Sequence, residues 1–259
     1  MKGVFRLGIV VVLVLFCCAQ VSFAAPSSLS NGLIAWWPFN GNGADATGHG
    51  YNLTLVGSPT FAPGRFGQAI SLNGTGDQYA VRPGDDAAFY FGSGDFTVAI
   101  WAYFNQHSVE QTLMEKWSGD RGPGWTLTTP QDWYQLAPEI YSGFGGYDPG
   151  NWHMYLAERN GNTANLYFDT TLINSGPASD LAAVLDPLLI GRRDQADGRI
   201  FGVDGMLDDA AIWDRALSDS EIALLYQNGV TSTPEPASLT LLIVGGMTGG
   251  AFRRYWKRG

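Results

Sequence analysis

The sequence predicts an all-β protein built as a two-layered sandwich, and three observations predict it. Glycine is abundant, at 34 residues, and aromatic side chains make up 13% of the chain. Lys and Glu are scarce, which disfavours long surface helices. The run from Phe96 to Phe104 is apolar on both faces. Such a strand needs cover on both sides, as the centre of a sandwich provides.

Leu33 to Phe39 reads as the first strand, stopped by Asn40-Gly41-Asn42-Gly43, and turn residues dominate through Gly50. Ala69 to Leu72 and Gln78 to Val81 flank an Asn73-Gly74 turn signal. After Phe96 to Phe104 come strands at Thr112–Lys116, Trp125–Thr129, Met154–Glu158, Asn165–Asp169, Leu188–Ile190 and Gly205–Trp213. One helix is expected. Ser218-Asp219-Ser220-Glu221 is a capping box, Ile222, Leu225 and Tyr226 form an apolar face, and Gly229 supplies the C-terminal stop. No internal repeat is present, so the body is one domain.

Both ends carry targeting signals. Lys2 and Arg6 precede the apolar stretch Leu7 to Phe16, and Ser22-Phe23-Ala24 offers small residues before a cut after Ala24. Cys17 and Cys18 both lie in this signal peptide, 1–24. The exported body therefore has no disulfide, no zinc-thiolate site and no cysteine nucleophile. Between residues 25 and 233 there are 23 acidic and 9 basic residues, a formal charge of −14. That surface repels nucleic acid. At the other end, Pro234-Glu235-Pro236 precedes an apolar segment, 237–252, and then Arg253, Arg254, Lys257 and Arg258. The cations hold that end on the cytoplasmic side. As a helix the segment spans roughly 24 Å, short against a hydrocarbon core of about 30 Å. The order of these parts resembles the PEP-CTERM sorting signal, 234–259. The resemblance implies an exosortase as partner, a transient stay in the inner membrane, and delivery of the body to the cell surface or extracellular matrix.

The landmarks of the body resemble a laminin-G-like domain of the concanavalin A-like lectin/glucanase superfamily over residues 33–229, with a leader at 25–32 and a linker at 230–233. Phe66 to Gly74, Asp95 to Trp101, Asn151-Trp152-His153, Leu166 to Asp169 and Gly205 to Ser218 carry the match. It implies a jelly-roll β-sandwich of two antiparallel sheets with one short C-terminal helix. Thr170 stands where the family usually has glycine, which leaves the turn type of that hairpin open.

Three chemistries can be weighed on these residues. Hydrolases of the superfamily use closely spaced glutamates on one strand. The body has only Glu110, Glu115, Glu139, Glu158 and Glu221, with no two within four residues, so the sequence argues against an enzyme. In related sandwiches a structural Ca2+ joins the first turn to an aspartate opening the last strand. Here that implies Asp208 with carbonyls of the turn from Asn40 to Asp45, and Asp45 itself; the competing role for Asp208 is to accept amide hydrogen bonds in a turn. Aromatic side chains among polar turn residues suit sugar rings. Trp133, Tyr134 and Tyr147 fit that description, or else pack their loop onto the sandwich, whereas Trp125 belongs to the core. The expectation is a surface or matrix protein that binds glycan, against a purely structural surface protein or a divergent glycoside hydrolase.

Overall fold

The computed structural model describes residues 29–106, 110–117, 124–129, 135–137, 140–141, 148–193 and 200–230. These residues form two antiparallel sheets and one α-helix. The strands are β1 (Leu33–Trp37), β2 (Thr54–Val56), β3 (Thr60–Pro63), β4 (Gln68–Asn73), β5 (Tyr79–Arg82), β6 (Phe96–Phe104), β7 (Gln111–Trp117), β8 (Gly124–Thr129), β9 (Gln135–Ala137), β10 (Ile140–Tyr141), β11 (Trp152–Asn160), β12 (Thr163–Phe168), β13 (Thr171–Pro177), β14 (Leu188–Ile190) and β15 (Asp204–Trp213). One sheet runs β13-β12-β11-β6-β15-β4-β3, with β1 also paired to β15; the other runs β10-β9-β8-β7-β14-β5-β2.

Strand β6 sits at the centre of the eight-stranded sheet, and its two apolar faces have different cover. Val98, Ile100, Ala102 and Phe104 face the seven-stranded sheet, where they meet Trp125, Leu127, Leu188 and Ile190. Ala99 and Trp101 face outward into a second cluster with Met154, Leu156, Trp213, Ile222 and Leu225. The last two belong to the helix α1 (Asp219–Asn228), so the helix closes the outer face of this sheet. Each such buried apolar side chain contributes about 1.5–3 kcal/mol relative to exposure.

The helix begins as its sequence requires. The Ser218 hydroxyl accepts from the Glu221 amide (3.4 Å), and the Ser218 amide donates to Glu221 Oε2 (2.9 Å). Arg215 grips the same carboxylate with two bonds of 2.9 and 2.6 Å. Gly229 ends the helix at φ +69°. Ser218→Ala is expected to cost about 1 kcal/mol; a thermal melt should drop by roughly 2–4 °C, with ligand binding unchanged.

The packed body is longer than residues 33–229. Leu29 is 1% exposed and joins the helix-side cluster. The Trp213 indole donates to its carbonyl (2.7 Å), and Arg215 Nε donates to the Asn31 carbonyl (2.7 Å). Val230 is buried as well. Residues 29–32 and Val230 are therefore part of the packed body. Strands β2, β3, β9, β10 and β13 add to those the sequence pattern marks.

The hairpin with Thr170 in place of glycine is a two-residue turn, since Phe168 pairs with Thr171. Asp169 takes the left-handed conformation, φ +56°. Its side chain accepts from the Met154 amide (3.0 Å) and meets His153 Nδ1 (2.9 Å). His153 Nε2 lies 3.2 Å from Asp148 Oδ2, and the ring stacks on Phe168 at 4.4 Å. Only the imidazolium can donate from both nitrogens to two carboxylates. Burial opposes that charge, but Asp169 and Asp148 outweigh it and hold the His153 pKa above its ordinary value. A raised histidine pKa stabilises the fold at low pH and ceases to as pH rises through the folded value. The hairpin is expected to loosen as pH climbs past about 6.5, the ordinary histidine value. His153 ring chemical shifts would show a midpoint above that of a model peptide.

Candidate functional site

The side of the seven-stranded sheet turned away from the inter-sheet core carries polar side chains, and those of Thr112, Glu115, Thr126 and Thr128 are buried. Trp125 and Leu127 point into the core, so their cross-strand partners Lys116 and Met114 share that side. Alternation then sends Glu115, Trp117, Thr126 and Thr128 to the outer face. Leu189 pairs with Glu115 and with Val81, which extends the same face toward β5 and Tyr79.

Two arginines reach this face from the turn after β14. Gly191 starts that turn at φ +84°, and a Cβ there would lie 2.4 Å from Leu72 Cδ1, so only glycine lets the chain pass. Arg193 Nε donates to Glu115 Oε2 (3.1 Å), and Nη1 donates to Glu110 Oε1 (2.6 Å). The Arg193 and Glu115 side chains are 5% and 2% exposed. Thr128 Oγ1 adds a bond to Glu110 (3.1 Å), and the guanidinium lies 5.6 Å from the Trp117 ring. Arg192 sits 4.7 Å from the Tyr79 ring and donates to the Gly76 carbonyl (2.9 Å). The face thus combines two rings, two guanidiniums and two carboxylates that share one cation. Such a set suits a polyhydroxylated ligand. Sequence spacing passed over Glu110 and Glu115 as a catalytic pair. The fold instead joins both to Arg193. The available signal was a charge, Glu115, placed inside the run Leu113-Met114-Glu115-Lys116-Trp117.

On the other sheet, strand β15 changes partner from β4 to β1 at a bulge between Asp208 and Ala211. Leu207 and Ala210 both face the inter-sheet core, so Asp208 and Asp209 both fall on the helix-covered side. Asp209 takes φ +45° to allow it. Asp208 is fully buried. Its Oδ2 accepts from the Phe66 amide (2.8 Å), while Oδ1 has no hydrogen-bond partner among the described residues. Burial, together with the Asp209 charge, pushes its pKa up to about 7. Asp209 Oδ1 accepts from the Trp36 indole (2.7 Å), and burial raises its pKa to about 6.

The side chains of Asn40 and Asp45 accept from backbone amides of the chain. Asn40 Oδ1 accepts from the Gln68 amide (2.7 Å). Asp45 organises the loop after β1: it accepts from the amides of Trp36 (3.3 Å), Thr47 (3.0 Å) and Tyr51 (3.1 Å) and from the Thr47 hydroxyl (2.7 Å). Burial alone would raise the Asp45 pKa, but these bonds outweigh it and leave the value lowered. Among the described residues no three His, Cys, Asp or Glu side chains form a set that could hold a metal ion.

Trp125 is buried in the core as expected. Trp133, Tyr134 and Tyr147 lie outside the described residues, as do Pro234, Glu235, Pro236, Arg253, Arg254 and the signal peptide. No helix among the described residues is long and apolar enough to cross a membrane; the segment 237–252 is not among them.

Solved structures with this arrangement include domain 4 of AbnA, a GH43 extracellular arabinanase from Geobacillus stearothermophilus, in complex with arabinotriose. It shows 20% identity and a TM-score of 0.59, and the match covers 75% of this chain and 98% of that one. The binding domain of Paraclostridial Mosquitocidal Protein 1 matches at 16% identity and TM-score 0.61, and that of botulinum neurotoxin serotype C1 at 13% and 0.60. Each covers 77% of this chain, which spans about half, 52%, of either toxin domain. At these identities the likeness is one of fold. No curated protein matches the chain. A laminin-G family model described as the concanavalin A-like lectin/glucanases superfamily matches residues 73–223, more than half of the 259 residues, and the protein belongs to that superfamily.

Proposed function

We propose that the protein is an exported surface or matrix module that binds glycan on the outer face of its seven-stranded sheet, without turning it over. The observation that carries this reading is the half-buried set Tyr79, Arg192 and Glu110 on one face, backed by the buried Trp117, Arg193 and Glu115. A similarly folded domain has been solved with arabinotriose, which supports a sugar as the ligand class. Trp133 and Tyr134 lie in the chain between β8 and β9 of this sheet, and Tyr147 follows β10. In this reading they supply further sugar contacts. The absence of catalysis is supported by the shared Arg193: both glutamates already accept from one guanidinium. The tail from Pro234 is read and removed by an exosortase, after a transient stay in the inner membrane.

Calcium enters through Asp208. Its buried, unpartnered Oδ1 is an oxygen that a hard cation would use, whereas the side chains of Asn40 and Asp45 serve the chain's own amides. The rest of its six to eight oxygens would have to come from backbone carbonyls of the neighbouring turn.

A glycan-array screen of the purified protein, with calcium and with chelator, tests both parts. Retention of a neutral polysaccharide is expected, reduced in Trp133→Ala. Calcium at about a hundred times its Kd should add about 2.7 kcal/mol of stability; equal melts with calcium and chelator remove the ion. Burial of Glu115, Thr126 and Thr128 favours a second reading, a structural module with no ligand, in which no glycan is retained.

A further inference from the structure

A surface pocket of about 620 Å³ lies at the start of β1, away from the face just described. Gly32, Leu33 and Ile34, the loop residues His49 and Tyr51, and Asp214 after β15 line it. Its volume falls within the range of small-ligand sites, about 300–1,000 Å³.

The polar groups of this pocket are fixed in place. His49 Nδ1 lies 2.8 Å from the Ile34 carbonyl, which can only accept. Nδ1 therefore carries the proton, and Nε2 of the neutral ring is an acceptor. Tyr51 is held by its backbone N–H donating to Asp45 Oδ2 (3.1 Å), by the Trp37 indole donating to its carbonyl (2.7 Å), and by Phe89 against its ring at 5.1 Å. Asp214 reaches in because residue 32 is glycine. A Cβ there would lie 2.3 Å from Asp214 Oδ1, and φ is +70°. The Asp214 amide donates to the Gly32 carbonyl (2.9 Å), which sets the backbone. Its carboxylate accepts no hydrogen bond from the described residues.

The pocket thus offers the Asp214 carboxylate and His49 Nε2 as acceptors, with Ser30 at its edge and Leu33 and Ile34 as its wall. Its complement carries several O–H donors, an apolar C–H face and no negative charge. We propose that it binds a neutral pyranose unit, with two adjacent hydroxyls donating to Asp214 and a third to His49 Nε2, and that it rejects uronic acids. This second site rests on the chemistry of the pocket. It deepens the glycan-binding reading and can fail separately from it.

Saturation-transfer NMR on the purified full-length chain tests the proposal with methyl glucoside, methyl galactoside, methyl mannoside and glucuronic acid. At least one neutral glycoside should give a signal, glucuronic acid none. His49 and Asp214 are exposed, so alanine at either position should leave the fold intact. His49→Ala should weaken the glycoside about tenfold, the loss of one hydrogen bond, and Asp214→Ala by more, since it removes two hydrogen bonds to a charged group. Neither should change polysaccharide retention on the seven-stranded sheet. No glycoside signal, an equal signal from glucuronic acid, or unchanged binding in both variants would overturn the second site. Loss of polysaccharide retention together with the glycoside signal would overturn its separateness. Retention that fails alone would count against the larger face only.

Discussion

Arg193→Met is expected to destabilise the protein by about 3–5 kcal/mol, the usual cost of stripping one partner from a buried ion pair. Glu115 would keep its charge at 2% exposure and lose its guanidinium. Glu110, at 19% exposure, would suffer less because water can reach it. Thermal unfolding should show a drop of roughly 10 °C, at about 2–4 °C per kcal/mol for a body of this size. Adding Glu115→Leu removes the stranded charge and should recover most of the loss, since apolar replacement of a whole buried pair is often neutral. A double variant that melts at the sum of the two single losses would contradict the pairing.

A chain that starts at Leu33 is expected to lose at least as much. Leu29 is 1% exposed, and deleting a buried leucine typically costs about 2–5 kcal/mol. The same cut removes the Leu29 carbonyl and orphans the buried Trp213 indole, a further penalty of about 1–3 kcal/mol. Compared with a chain beginning at residue 25, it should melt roughly 6–15 °C lower. Equal melting temperatures would show that the leader does not seal the helix-side cluster.

Much of the fold can be read from local pattern. Strand β6 declares itself because both faces are apolar, and α1 because its cap, its apolar spacing and its closing glycine agree. Strands β3 and β13 are hidden for the opposite reason. Each is an edge strand ending in proline, and β13 also carries Gly176, so each needs only one well-made side. The buried leader is hidden as well. Leu29 looks like an isolated apolar residue until Trp213, 184 positions later, folds over it.

The site was legible in chemistry and not in place. Asp208 stood out as the aspartate opening the last strand, and it is fully buried. The side chains of Asn40 and Asp45 hold the 64–68 turn and the loop after β1, because short polar side chains in turns satisfy nearby amides first. The Glu115–Arg193 pair spans 78 residues, and no local pattern links a charge in one strand to a turn that far away.

The central claim is that this sandwich binds polysaccharide and leaves it whole. The most direct measurement incubates the purified protein with neutral polysaccharides, an arabinan among them, and follows retention by affinity electrophoresis and new reducing ends in the same samples. The account predicts retarded migration with no rise in reducing ends. A steady release of reducing ends, or free migration through every polysaccharide, would contradict it.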